Sequence, residues 1–210
     1  MSATAIRPTH GRTRPYRHEV RSELLAAART TFLAKGYGET SVAEVAAAAG
    51  YTKGAVYSNF GGKPELFAEV CRAEFGTTMA EVLADLLRAA ADAGDARLPT
   101  EAAGRLADLV MDRLALQAAA SEFRGLALRN PELAEVYTMM RHDQIEALAA
   151  ALEEQQLLGA TASLEDARQV AGLLLGVINS MALDRAAAPE LYPRSRLVAT
   201  MARLVRGLLA

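Results

Sequence analysis

From Glu19 to Lys35, Leu24, Leu25, Ala28 and Phe32 recur every three or four positions. That spacing puts them on one helix face, and Gly36 ends the stretch. Ser41 opens a short helix that Gly50 stops. Ser41 and Glu44 have the spacing of a capping box, in which each side chain satisfies a loose backbone N–H of the first turn. Thr52 is placed as N-cap of a second short helix ending near Phe60, and Gly61-Gly62 breaks it. Pro64 suits the first turn of a long helix running to about Ala91.

Beyond residues 92–99, a loop, the pattern predicts a helix from Thr100 to about Ala120 and a segment from Ser121 to Arg129, broken at Asn130-Pro131. An amphipathic helix follows over 132–158. Residues 159–163 form a turn with Ser163 as cap, and 164–188 is the most apolar helix. A loop over 189–193 leads to a last helix, 194–209. Residues 1–18 hold two Pro, one Gly and no apolar period, which predicts a flexible arm.

Composition agrees with this all-α pattern. There are 45 alanines and 29 leucines, aromatics are 5% and Trp is absent, which makes a sheet-based enzyme fold improbable. One cysteine, Cys71, removes any disulfide framework and any zinc site built on several cysteines; it is expected to be a small buried hydrophobe. The three histidines leave little for a metal centre, so neither metal nor cofactor is expected. No signal peptide is visible, and the apolar stretch 170–183 is too short to span a bilayer, so a soluble cytoplasmic protein is expected. Glu153-Glu154 and Glu165-Asp166 are neighbours in sequence and so do not converge on one helix face. His142-Asp143 has no third partner by spacing. No catalytic residue is assigned.

Charge is divided unevenly. Residues 1–63 carry nine Lys/Arg against four Glu, a formal +5, while the rest carries -7 within the net -2. A basic first third on an acidic body fits one end meeting a polyanion. That third contains the block TSVAEVAAAAGYTKGAVYSNFGGKPELF, residues 40–67. Ala46 is small enough for two short helices to cross closely. Gly50 suits a tight turn with positive φ, and Val56, six positions on, pins the second helix to the first. This is a helix-turn-helix pattern. It exposes Lys53, Gly54, Tyr57 and Ser58, turns Val56 and Phe60 inward, and suits the ~12 Å wide major groove of DNA.

The block, with LLAAARTTFLAKGY before it, resembles the DNA-binding segment of the TetR family of bacterial transcriptional regulators over about residues 20–70. Ser58-Asn59 departs from the His or second aromatic that many members carry there. Thr40 and Thr52, at helix starts, would hold phosphates, as would Lys63. Lys53 would meet a phosphate or a guanine edge, and Gly54 would permit close approach. Tyr57 would pack on the sugar-phosphate, Ser58 and Asn59 would read bases, and Arg14 and Arg17, with Arg7 and Arg12, would reach a minor groove.

The resemblance implies three regions: an arm (1–18), a three-helix DNA-binding domain (19–63) and a larger ligand-binding and dimerisation domain (64–210), with about nine helices in all. Apolar stripes containing Leu173, Val177, Met181 and Leu197, Met201, Leu204 would pair two subunits as a four-helix interface. Met111, Leu114, Phe123, Arg124, Tyr137, Met140, Gln144 and Asn179 would line a small-molecule pocket, with Gln117 as a further possible polar contact. The implied function is a homodimeric repressor on a palindromic operator, released by a small apolar or amphipathic effector. Alternatives are the same fold without a small-molecule effector, or a helical enzyme with a vestigial DNA-binding motif.

Overall fold

The structure, a computed structural model, describes residues 17–92, 100–154 and 163–209. The expected arm with Arg7, Arg12 and Arg14, the 93–99 loop and the 159–162 turn lie outside the described residues. Among those described there are nine helices and no strand. They are α1 (Arg17–Lys35), α2 (Val42–Ala48), α3 (Lys53–Phe60), α4 (Lys63–Asp92), α5 (Thr100–Asp112), α6 (Leu114–Ala127), α7 (Pro131–Glu154), α8 (Leu164–Ala187) and α9 (Arg194–Leu209).

Local chemistry accounts for most helix ends. Ser41 and Glu44 form both halves of the capping box on α2, and Ser163 and Asp166 do the same on α8. Asn130 Oδ1 accepts from the Glu132 and Leu133 N–H groups at 3.0 and 3.3 Å, with Pro131 just inside the start of α7. Gly36 and Gly50 adopt φ +78° and +76° at the ends of α1 and α2, which side chains resist.

One boundary differs from the pattern. The helix that begins at Thr100 breaks at Arg113, and α6 runs through Ser121 without interruption. The cause is tertiary. Ala103, Ala107 and Val110 of α5 join one hydrophobic cluster, whereas Leu116, Ala119 and Phe123 of α6 join another. A straight helix could not serve both, and no Gly or Pro marks the bend in sequence.

The first cluster holds α5, α8, α9 and part of α7, with Leu148, Leu152 and Leu174 fully buried. The second lies beneath α1–α3, here called the head. It does not stop at residue 63 but continues through Leu66, Phe67, Val70 and Cys71 of α4 into Phe123 of α6 and Met140 of α7. Phe32, Tyr37, Phe67 and Phe123 interlock at its centre, with the Phe67 ring 4.9 Å from Phe32, 5.1 Å from Tyr37 and 5.4 Å from Phe123. The head is therefore built onto α4 and α6 by shared apolar packing.

Phe67 is fully buried among three rings, so Phe67→Ala should lower unfolding free energy by about 3–5 kcal/mol. Urea unfolding followed by far-UV circular dichroism measures this. A loss below about 1 kcal/mol would show that the rings do not hold the head.

Candidate nucleic-acid interface and inner cavity

The sequence from Thr52 to Phe60 divides α3 by side. Val56 and Phe60 are buried, while Lys53, Gly54 and Ser58 are exposed and Tyr57 keeps 55% of its surface open. Eight residues make a rod roughly 12 Å long, short enough to lie in a major groove. Thr52 stands at the N-cap, but its hydroxyl makes no capping bond and faces solvent.

Three expected contact residues are placed otherwise. Thr40 is buried, and its hydroxyl donates to the Gly36 carbonyl at 2.8 Å, closing the turn between α1 and α2. Asn59 is half-buried and its amide donates back to the Ala55 carbonyl at 2.7 Å, so it turns toward its own helix. Lys63 donates to the Gly38 carbonyl at 3.1 Å, with its ammonium 4.4 Å from the Tyr37 ring centre. Burial lowers its pKa, against Glu122, Glu39 and Glu44, which raise it. Thr40 and Lys63 thus bond the turn after α1, while Asn59 bonds its own helix and its Oδ1 is buried without a partner.

Two arginines of α1 flank the end of α3. Arg17 approaches the Ser58 carbonyl at 3.5 Å, and Arg21 donates to the Asn59 carbonyl at 2.6 Å while lying 4.4 Å over the Phe60 ring. Cations there suit the negative end of a helix. Arg21 was not among the expected residues; its position four after Arg17, on the same side of α1, was the available signal.

A cavity of about 100 Å³ lies between α4, α6, α7 and α8. Of the expected pocket residues, Arg124, Tyr137, Met140, Gln144 and Asn179 line it. Phe123 is fully buried in the aromatic cluster, Leu114 packs on the other core, and Met111 is not part of the lining. Gln117, the further polar residue expected there, also faces the cavity, as do Arg113 and Arg141, which were not expected. Cys71 contributes a wall, and burial and then Glu74 push its thiol up to about 12.

One polar support of the head lines the cavity, and a second lies on α6, the helix that forms one of its walls. Glu74 of α4 lines it and is ion-paired with Arg29 of α1. On α6, Glu122 follows the lining residue Ser121 in sequence without itself lining the cavity, and its carboxylate accepts the Gly38 N–H at 2.8 Å. A Cβ on Gly36 would come within 2.5 Å of that carboxylate. Tyr137, also lining the cavity, lies 6.4 Å from Phe123.

Of the expected interface residues, Leu173 on α8 is 52% exposed and Val177 and Met181 are half-buried, an outward stripe. Leu197 and Met201 on α9 are each 1% exposed and belong to the subunit's own core, because α9 packs on α4 and α5. Leu204's side chain lies outside the described residues. By length and composition α8 could cross a membrane, although its apolar character is shared between this stripe and the core.

Comparison with known proteins finds a family match in the head and similar folds over most of the chain. Residues 24–70 match the family described as bacterial regulatory proteins, tetR family. A stretch of 59 residues is 39% identical to the HTH-type transcriptional regulator AcrR of Shigella flexneri, covering 28% of this chain and 27% of that protein. The chain thus matches about a quarter of that relative's length. The crystal structure of a transcriptional regulator from Rhodococcus sp. Rha1 superposes with TM-score 0.55 at 26% identity, over 90% of this chain and 95% of that one. A member of the TetR family from Streptomyces coelicolor A3 gives TM-score 0.55 at 22% identity, over 89% and 98%.

Glu44 provides a pH test of the head. Hydrogen bonding by Lys35, then by Ser41, lowers its pKa from 4.5 to about 2. The folded state therefore binds this proton less readily than the unfolded state. Its stabilisation is complete above pH ~4.5 and disappears as pH falls toward ~2. The stability difference between wild type and Glu44→Gln should stay constant from pH 7 to 5 and shrink below that. A difference that persists unchanged at pH 3 would place the effect elsewhere.

Proposed function

We propose, from the match of residues 24–70 to the tetR family of bacterial regulatory proteins, that the chain is a DNA-binding transcriptional regulator of that family. The observation that carries this reading is the division of α3: Val56 and Phe60 pin it down while Lys53, Gly54, Tyr57 and Ser58 stand clear. These residues, with Thr52 and Arg17, form the contact surface. Lys53 and Arg17 neutralise phosphates, and Ser58 and Tyr57 reach base edges or the sugar-phosphate.

The outward stripe on α8 pairs two copies, and the pair reads a palindrome with half-sites about 34–36 Å apart. The head reads DNA and the remaining helices hold the effector cavity and the dimer surface. An effector between α4 and α6 acts on the head through Glu74–Arg29 and Glu122–Gly38 together. Binding the DNA-incompetent arrangement more tightly, it releases the operator, which makes the protein a repressor.

The cavity favours a ligand-responsive regulator over one without an effector, since a regulator without one could pack these helices dry. An enzymatic reading finds little chemistry there. The one lining carboxylate, Glu74, is ion-paired, and the Cys71 thiol is protonated at neutral pH. The protein is read as a regulator, not an enzyme, in the cytoplasm where its operator is.

Selection of bound fragments from the source genome supplies the operator, and fluorescence anisotropy over a salt series then tests the surface. Lys53→Ala should weaken binding about tenfold and lower the slope of log affinity against log salt by about one unit. Tyr57→Ala should weaken binding with little change in stability, because its ring is exposed. Wild-type affinity that ignores salt, or a Lys53→Ala variant with unchanged slope, would contradict the reading.

A further inference from the structure

The lining of the cavity has a charge imbalance that an effector must answer. Arg113, Arg124 and Arg141 face it against a single carboxylate, Glu74, which Arg29 already holds from outside. Among the described residues no Asp or Glu lies within ion-pair distance of those three arginines. Arg141 is half-buried and meets only neutral acceptors, Gln144 Oε1 at 3.3 Å and the Gly172 carbonyl at 3.2 Å. Burial lowers its pKa, against Tyr137, which raises it, and the nearby Arg124 lowers it as well. A partly buried cation without a counter-charge is costly, and an incoming anion offsets that cost.

The polar groups are aligned. Gln117, Ser121 and Arg124 recur at the helical period on α6, and Tyr137, Arg141 and Gln144 do so on α7. The two rows face one space. Gln117 Oε1 is buried in that lining without a hydrogen-bond partner, an acceptor that a ligand hydroxyl or N–H would satisfy. Phe75, Leu175, Ile178 and Leu183 supply apolar walls. A volume of about 100 Å³ suits a body the size of one aromatic ring or a short chain and is small for a nucleotide.

We propose that the cavity takes a small amphipathic carboxylate, its anionic end forked by Arg141 and Arg124 and its apolar body against Phe75, Leu175 and Ile178. This inference rests on the regulator reading only in treating the cavity as the effector site. Guanidinium donors are paired in a plane and match the two carboxylate oxygens, whereas a neutral head group leaves the arginines uncompensated.

The test uses the full-length protein with benzoate, 4-hydroxybenzoate, hexanoate and octanoate, each beside its primary amide, and with inorganic phosphate. Binding is followed by calorimetry and by thermal shift. At least one acid should bind about tenfold or more tighter than its amide. Arg141→Gln and Arg124→Gln should each remove that preference. Arg124 is exposed at the rim, so its variant stays informative should Arg141→Gln unfold. Amides binding as well as acids, phosphate binding as well as any carboxylate, a panel that fails entirely, or a preference that survives both variants would overturn the proposal. The same samples are titrated with operator fragments. Acid preference lost with DNA binding intact sinks the ligand class alone, and the reverse result sinks the regulator reading alone.

Discussion

Phe32 from α1, Tyr37 from the turn after it, Phe67 from α4 and Phe123 from α6 pack with ring centres 4.7–6.1 Å apart. Three of the four are completely shielded from solvent. Each such ring contributes on the order of 1.5–3 kcal/mol by burial alone, and edge-to-face contacts add to it. The surface ion pairs around the cluster, Arg21–Glu69 and Lys35–Glu44 among them, are largely solvated, so each adds little beside a buried ring. Apolar packing therefore sets where the head sits, and the charges adjust it.

That constraint links recognition to the interior. α3 is held by Val56 and Phe60 in the same cluster that Phe123 closes, and Phe123 touches Tyr137 on the cavity wall. Close-packed interiors have few intermediate arrangements, so in the proposed mechanism a ligand that separates α4 from α6 would displace the head as a unit. Glu74–Arg29 and Glu122–Gly38 add polar ties from α4 and α6 to the head beside this packed route.

The helices of the head and the division of α3 were legible because glycines, caps and apolar spacing act locally: Gly36, Gly50, Ser41–Glu44 and Val56 each do what their chemistry dictates. What was not legible depends on distant partners. The break at Arg113 arises from two cores competing for one helix, and the inward placement of Leu197 and Met201 follows from α9 meeting α4 and α5. A stripe of apolar residues looks the same in sequence whether it faces its own core or a second subunit. Thr40 and Asn59 were read as contacts because polar side chains at helix ends serve either a backbone or a phosphate, and here the backbone holds them. Part of the cavity wall, Gln117, Arg124, Tyr137, Gln144 and Asn179, was visible as polar residues on apolar helices. Arg113 and Arg141 were missed because a charged residue on an amphipathic helix ordinarily faces water.

Native-state hydrogen exchange on the full chain tests the shared core most directly. If the head is built onto α4 and α6, the slowest amides of α1, of the first half of α4 and of α6 open with one common free energy that rises and falls together across denaturant concentrations. Head amides that open several kcal/mol below those of α6, with an independent denaturant dependence, would contradict the account.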